Sequence, residues 1–419
     1  MKIAGHASSV REFLTLLSVR TKYGDEVVKI THVLPALTKG GGERVAADLA
    51  SQAARAGHDV TIIAAWPVDS VLLRDALHPG VKVWYVSDAT ASKMGAYLSM
   101  LPWLWRNRFW LAGQDILHCH LTYGAVFGTA VRYFRLALGS QRPAIVETCH
   151  SAGMPVPALH RRIRARMVAR FDAFALVAED DYWCAFIQNQ IALPSAIIPN
   201  GISFQALVKV EPAAQLAYRH EVGIPDECNY VVGTVGRLQP DRQPWLYLPI
   251  FAEIVSVLGS KVHFVLAGGG SEYERMRSLV IEHGLEKQVH LPGLILEPRL
   301  PLSVMDLYLT LNVGGVTGIA ALEAAYLGVP VLAIQMRSNY SVQQEDWIWS
   351  SSNLSEVATR AIELLRAPVE RQMLAERQAS RVRSNYTVES MARSYDELYL
   401  SAIARTQARA KRMLPKIDL

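Results

Sequence analysis

The sequence predicts an α/β chain of two doubly wound parallel-sheet domains in tandem, and three observations carry that reading. Short apolar runs alternate with amphipathic helical stretches along nearly all of the 419 residues. The runs are near-continuous rather than alternating, as expected of strands covered by helices on both faces. Glycine-rich turns stand where a strand hands over to a helix, at Gly40-Gly41-Gly42 and again at Gly314-Gly315 with Gly318. Repeated βα units of this kind build parallel sheets. A chain of 419 residues also exceeds one ordinary core, so two domains of roughly 200 residues each are expected.

In chain order, residues 1–26 form an extension that mixes Arg11, Glu12, Arg20 and Lys22 with apolar positions. That pattern is not a signal-peptide core, and it reads as an added amphipathic helix. The first Rossmann-like domain spans 27–205, with strands expected at 27–37, 59–66, 81–87, 115–120, 144–150, 173–179 and 195–199. Helices are expected between them, at 43–56, 93–112 and 161–171. After Asn200-Gly201 the alternation pauses and resumes as a second Rossmann-like domain, 206–385. Its strands are expected at 230–237, 262–267, 289–291, 306–312 and 329–334. From about 357 to 412 the pattern is almost wholly helical, and the stretch 386–419 is expected to return toward the first domain.

Bulk composition narrows the function classes. Hydrophobic residues make up 51% and charged ones 19%, which is globular. A net charge of +5 suits anionic small molecules or a membrane surface, but falls short of the basic stripes of a nucleic-acid binder. The cysteines Cys119, Cys149, Cys184 and Cys228 show no CxxC pair or metal-ligand spacing, so reduced thiols in a cytoplasmic protein are expected. No run of about 18 apolar residues is present to span a membrane. Leu101–Trp110 mixes tryptophans with arginines, and Arg161–Met167 is a basic amphipathic segment. Each reads as a helix with a solvated face, and each also suits a peripheral contact with an anionic membrane.

The chemistry-bearing stretches lie at strand ends, where two facing sheets of this type bind ligands. Gly41 and Gly42 open a helix after the first strand, and a helix N-terminus behind glycines favours phosphate. The stretch Gly314-Gly315-Val316-Thr317-Gly318 repeats that arrangement and leads to one carboxylate, Glu323. A carboxylate about a turn inside the helix cannot hold phosphate but accepts hydrogen bonds from paired sugar hydroxyls. Together they point to a ligand with both a diphosphate and a sugar. His150 ends a strand at the same edge, as a structural histidine or as a group near the reacting sugar. His118 and His120 share one strand face, with Cys119 on the other. Asp180-Asp181 has the wrong spacing for a metal-binding DxD and reads as first-turn capping.

These stretches resemble, in order, the motifs of family 4 glycosyltransferases of the GT-B fold. Gly41-Gly42-Glu43-Arg44-Val45 is similar to the family's "GGAERV" opening, Asp115–His120 to "DivHaH", and Glu147–His150 to its "HD/HS" strand end. Ile198-Pro199-Asn200-Gly201 resembles "iPNG", Val235–Leu238 resembles "GRL", and Val289–Gly293 resembles "vhflG". The resemblance runs from about 27 to 404. It implies a retaining transfer of a sugar from a nucleotide-sugar donor to a hydroxyl acceptor, a sugar or lipid-linked molecule, in polysaccharide or glycoconjugate biosynthesis. It also implies no metal or other cofactor, with Arg237 and Arg242 holding the donor diphosphate. Arg242 stands where the family has a lysine, which keeps charge but replaces a point by a planar fork. By the same resemblance Gly41, Gly42, Gly293, Thr317 and Gly318 line the donor, Glu323 takes the ribose, and His150 lies near the transferred sugar.

One departure stands out. The family's E-x7-E pattern places a glutamate eight residues before Glu323, and here that position is Gly315. Backbone amides of 314–318 with the Thr317 hydroxyl then contact the sugar, or the chain has kept nucleotide binding and lost transfer. A nucleotide-sugar 2-epimerase of the same architecture and a degenerate GT-B subunit remain as alternatives.

Overall fold

A computed structural model of the chain describes residues 27–38, 40–67, 76–88, 93–134, 142–151, 156–190, 193–204, 207–295, 297–312, 317–336 and 347–411. The expected extension 1–26, Lys39 and the turn 313–316 with Gly315 lie outside these residues. The first sheet contains β1 (Lys29–Leu34), β2 (Asp59–Ala64), β3 (Val81–Tyr85), β4 (Ile116–His120), β5 (Ala144–Cys149), β6 (Ala173–Leu176) and β7 (Ser195–Ile197). The second contains β8 (Tyr230–Val235), β9 (Val262–Ala267), β10 (Val289–Gly293), β11 (Leu307–Asn312), β12 (Val331–Gln335) and β13 (Trp349–Ser351).

All pairings are parallel, in the orders β3-β2-β1-β4-β5-β6-β7 and β10-β9-β8-β11-β12-β13. Each order reverses once, between β1 and β4 and between β8 and β11. Such reversals open a crevice at the C-terminal strand ends, because the two flanking connections leave in opposite directions. The chain is an α/β protein of two Rossmann-like domains.

Where the elements differ from expectation, local chemistry explains it. The strand expected to run through 37 stops at Leu34, because Pro35 has no N–H to give the ladder. The single helix expected over 93–112 is two, Lys93–Arg106 and Arg108–Ala112. At the break Asn107 takes φ −100° and ψ 12°, and its side-chain amide donates to the Trp103 carbonyl at 2.9 Å. Strand β13 has three residues, two of them serine, too short for a periodic signal.

The long helix Val388–Lys411 closes the first domain, not the second. Met391, Tyr395, Leu398, Tyr399 and Ala402 form one helical face that packs on Ile30, Val45, Leu49, Ile116 and Val146. The chain reaches it through a bridge between Ile202 and Thr387, with Ile202 N–H donating to the Tyr386 carbonyl at 2.9 Å. Here the backbone of Thr387 passes so close to Gly201 that a Cβ would overlap it, which accounts for the glycine of Pro-Asn-Gly.

Candidate active site

On the first domain the site begins with a column of imidazoles. His32 on β1 is paired in register with His118 on β4, two residues from His120. His150 directly follows β5. His32 Nδ1 and His120 Nε2 lie 3.0 Å apart, as do His120 Nδ1 and His150 Nε2, so three rings form one hydrogen-bonded chain. The His120 and His150 rings stack with centroids 5.3 Å apart.

His118 belongs to a second network, with Nδ1 at 2.7 Å from the Tyr399 hydroxyl and Nε2 at 2.8 Å from Thr148 Oγ1. Thr148 in turn meets the Tyr395 hydroxyl at 2.8 Å. Thus the face shared by His118 and His120 looks into the core. Burial lowers the pKa of both well below the ordinary histidine value, and holds His32 to about 3. His150 is likewise held to about 3, by burial first and then by the Arg164 cation. All four rings are therefore neutral at physiological pH. His32, His118 and His120 stand close enough to share a metal ion, yet five of their six ring nitrogens already take hydrogen bonds. The sixth, His32 Nε2, is buried and takes none.

Beneath His150 lies an ion pair that the sequence concealed. Glu147 on β5 is fully buried, and Arg164 reaches it with Nε at 2.6 Å and Nη2 at 2.5 Å. Burial pushes the Glu147 carboxyl up, and Arg164 opposes that rise. The expected basic face over Arg161–Met167 keeps Arg162 and Arg166 exposed but not Arg164. The helix is Ala158–Val168, and its middle arginine points inward. A lone carboxylate in a central strand cannot stay charged unpaired, so the strand needs this cation.

Gly40 caps the helix Gly41–Arg55 after β1, and Gly42 lies against both His150 and Leu121. A Cβ at Gly42 would stand 3.3 Å from the His150 ring and 3.2 Å from Leu121, so a larger residue there would have to push one of them aside. Leu121, at φ 59°, is held in the left-handed region at the end of β4. Such a residue costs about 1–3 kcal/mol and persists where its surroundings over-determine it.

Across the cleft, Gly318 caps the helix Ile319–Tyr326, whose inward face carries Glu323. Glu323 is 3% exposed and faces Arg44 of the opposite domain at 3.8 Å. Ile319 also approaches Gly41, at 3.7 Å from where a Cβ would stand. The glycine turn after β1 and the carboxylate helix of the second domain therefore face each other. Burial pushes Glu323 up to about 7, with Arg44 lowering and Asp48 raising it.

That shift has a definite sign. The folded state keeps the Glu323 proton to higher pH than the unfolded chain, whose carboxyl titrates near 4.5. Stability from this group is full below about pH 4.5 and is lost as pH rises through about 7. Glu323→Gln should therefore narrow the difference in thermal midpoint between pH 5 and pH 8. Equal differences in the two proteins would reject the buried carboxyl.

The cations stand at the mouth of the second domain. Arg237 follows β8 and is exposed, on a loop pinned by backbone bonds from Gly236 N–H to Ala267 O at 2.9 Å and Leu238 N–H to Gly269 O at 3.0 Å. Gly268 and Gly270 permit this approach, since a Cβ on either would overlap the carbonyl of Gly236 or Leu238. Arg242 is half-buried, 3.7 Å from Asp241, and precedes Gln243, whose φ of 44° is again left-handed. Gly293 (φ 79°) ends the edge strand β10, packed beside the Tyr273 ring. Thr317 is buried just before the helix of Glu323. Asp180 is a cap, accepting from Trp183 N–H at 3.0 Å.

The structure thus gathers Gly41, Gly42, His150 and Glu323 at one cleft, with Arg237 and Arg242 on loops at its second-domain edge. Sequence reasoning passed over His32, Tyr395 and Tyr399, and named Arg44 only as part of a motif, with no role. A histidine inside the apolar run of β1 was the available signal for the first. The tyrosines sit at ordinary helical core spacing and gave none.

Two Rossmann-like domains whose switch points face each other across a glycine- and arginine-edged cleft define a GT-B protein. Residues 39–205 match Glycosyltransferase Family 4, and residues 217–381 match Glycosyl transferases group 1. The chain belongs to this glycosyltransferase family. It is 24% identical over 227 residues to the O-antigen biosynthesis glycosyltransferase WclY of Escherichia coli, covering 53% of this chain and 58% of that one. It is 25% identical over 179 residues to a poly(ribitol-phosphate) alpha-N-acetylglucosaminyltransferase of Staphylococcus aureus, covering 41% of this chain and 35% of that one. Among solved structures, Anabaena HepE in complex with UDP and glucose superposes with a TM-score of 0.70 at 18% identity, over 88% of this chain and 98% of that one. The chain spans little more than half the length of the WclY relative it matches.

Proposed function

We propose that this chain is a retaining glycosyltransferase that moves a hexose-like sugar from a nucleoside-diphosphate donor to a hydroxyl of a sugar or lipid-linked acceptor, without a metal. The observation that carries it is the meeting of Arg44 and Glu323, which brings the two domain switch points face to face. The neighbour HepE holds UDP and glucose, and the WclY relative works in O-antigen biosynthesis, which supports a nucleotide-sugar donor and a surface-polysaccharide setting.

In this mechanism Arg237 and Arg242 stabilise the charge that develops on the departing diphosphate, assisted by the helix N-termini at Gly41 and Gly318. A phosphate oxygen of the leaving group takes the acceptor proton on the same face. Glu323 accepts from the ribose hydroxyls, displacing Arg44 as its partner. Glu323→Ala should then weaken donor binding more than it slows turnover, and unchanged donor affinity would count against the ribose role.

Titration calorimetry with several nucleoside diphosphates, beside a mass-spectrometric screen of donors and acceptors, tests the whole reading. Binding of at least one diphosphate and turnover of its sugar are expected. Tight binding with no transfer from any donor would overturn it.

A peripheral membrane contact belongs to the same proposal. Among the described residues no helix is long and apolar enough to cross a membrane. Met94, Leu98, Leu101 and Trp105 nevertheless share one helical stripe, with Phe109 on the short helix that follows, and each is more than half exposed. Arg108 stacks over Trp105 and Phe109, and Arg170 over the nearby Tyr133. Exposed apolar side chains flanked by arginines suit anionic lipid headgroups. Cosedimentation with phosphatidylglycerol vesicles should exceed that with neutral vesicles, and Leu98→Ser with Trp105→Ser should abolish the difference.

A further inference from the structure

The chain of three imidazoles carries information that single residues do not. His150 is neutral, so whether it donates or accepts at the cleft depends on which nitrogen holds its proton. With all three rings neutral, only two proton arrangements satisfy both hydrogen bonds. In the first, every proton is on Nε2: His150 donates to His120, and His120 donates to His32. In the second, every proton is on Nδ1: His32 donates to His120, and His120 donates to His150.

The buried end decides between them. His32 Nε2 is buried and has no hydrogen-bond partner. The first arrangement would strand an N–H there, and the second leaves only a bare acceptor. Stranded buried donors are the rarer of the two, because a donor has a single direction in which to be satisfied. At the other end Nδ1 of His150 takes no hydrogen bond from the described residues, and it is not among the buried unpaired atoms. It therefore meets water or ligand in either arrangement.

We propose that His32 and His120 are positioning residues that hold His150 in its Nδ1–H form, so that it presents a hydrogen-bond donor to the cleft. The complementary group is an oxygen acceptor, on the transferred sugar or on the donor phosphate. The ligand part of this inference rests on the function proposed above, whereas the tautomer does not.

Nitrogen-15 NMR of the full chain labelled at histidine tests the tautomer directly, without ligand. His150, assigned through a His150→Gln variant, should show Nδ1 protonated and Nε2 bare. A proton on Nε2 would overturn the proposal. His120→Asn keeps a donor near Nδ1 and should preserve both the tautomer and transfer within a few-fold. His120→Asp can only accept, so it should move the His150 proton to Nε2 and lower kcat/KM by on the order of tenfold or more. Equal transfer rates in the two variants would reject the positioning role even with the tautomer confirmed. A His150 signal shifted by saturating UDP alone assigns the phosphate, and one shifted only by saturating UDP-glucose assigns the sugar. No shift with either removes the cleft contact. A protein with the Nδ1–H tautomer and no transfer would sink the proposed function alone.

Discussion

Arg237→Ala should lower turnover by about a hundred- to a thousandfold while the fold stays intact. Removing one preorganised donor to a developing oxyanion costs about that much in acyl transfer. The position makes the case. Arg237 is exposed at the end of β8, and no carboxylate among the described residues pairs with it. Its backbone is nonetheless fixed by bonds on either side, from Gly236 and Leu238 to the loop after β9. An exposed cation on a fixed loop at a domain switch point, unpaired among the described residues, contributes little to folding, which leaves its charge for the diphosphate role proposed above. Arg242 cannot fully replace it, because Asp241 already draws on its charge at 3.7 Å. Arg237→Lys should recover part of the rate, since charge is kept and the bidentate fork is lost. Steady-state kinetics beside circular dichroism and thermal melts would check this, and near-normal kcat in the alanine variant would remove Arg237 from the mechanism.

Arg164→Ala should act on the opposite side of the ledger, lowering stability by about 3–5 kcal/mol. It strands the Glu147 carboxylate, fully buried on β5, without its guanidinium. Truncating one partner of a buried pair costs far more than the pair contributes, because the remaining charge stays desolvated. A paired change, Arg164→Met with Glu147→Leu, should therefore recover most of the loss. Denaturant midpoints at constant slope would measure both. A loss under about 1 kcal/mol for the single variant would mean that Glu147 is protonated or reached by water.

The difference between these two arginines shows what could be read from the chain. The place of Arg237 at a strand end was legible, because it stands beside a glycine within a short ordered motif. Arg164 lies among exposed cations in the basic segment 161–167, and helical periodicity gives its direction only when the neighbouring sheet is known. The same limit hid Glu147, whose burial follows from a central place in the strand order. The need for glycine at 268 and 270 likewise follows from the backbone they admit, that of Gly236 and Leu238, which is distant in sequence.

Local order in the chain settled the repeated strand–helix alternation, the two-domain division into parallel sheets, and the glycine turns at strand ends. Apolar runs, turn residues and caps act over a few residues, so a linear sequence records them. Which histidines touch, which arginine turns inward, and that Glu323 meets Arg44 across the cleft depend on strand order and domain closure. Those contacts join residues such as His118 and Tyr399, 281 positions apart, through packing that no local pattern encodes.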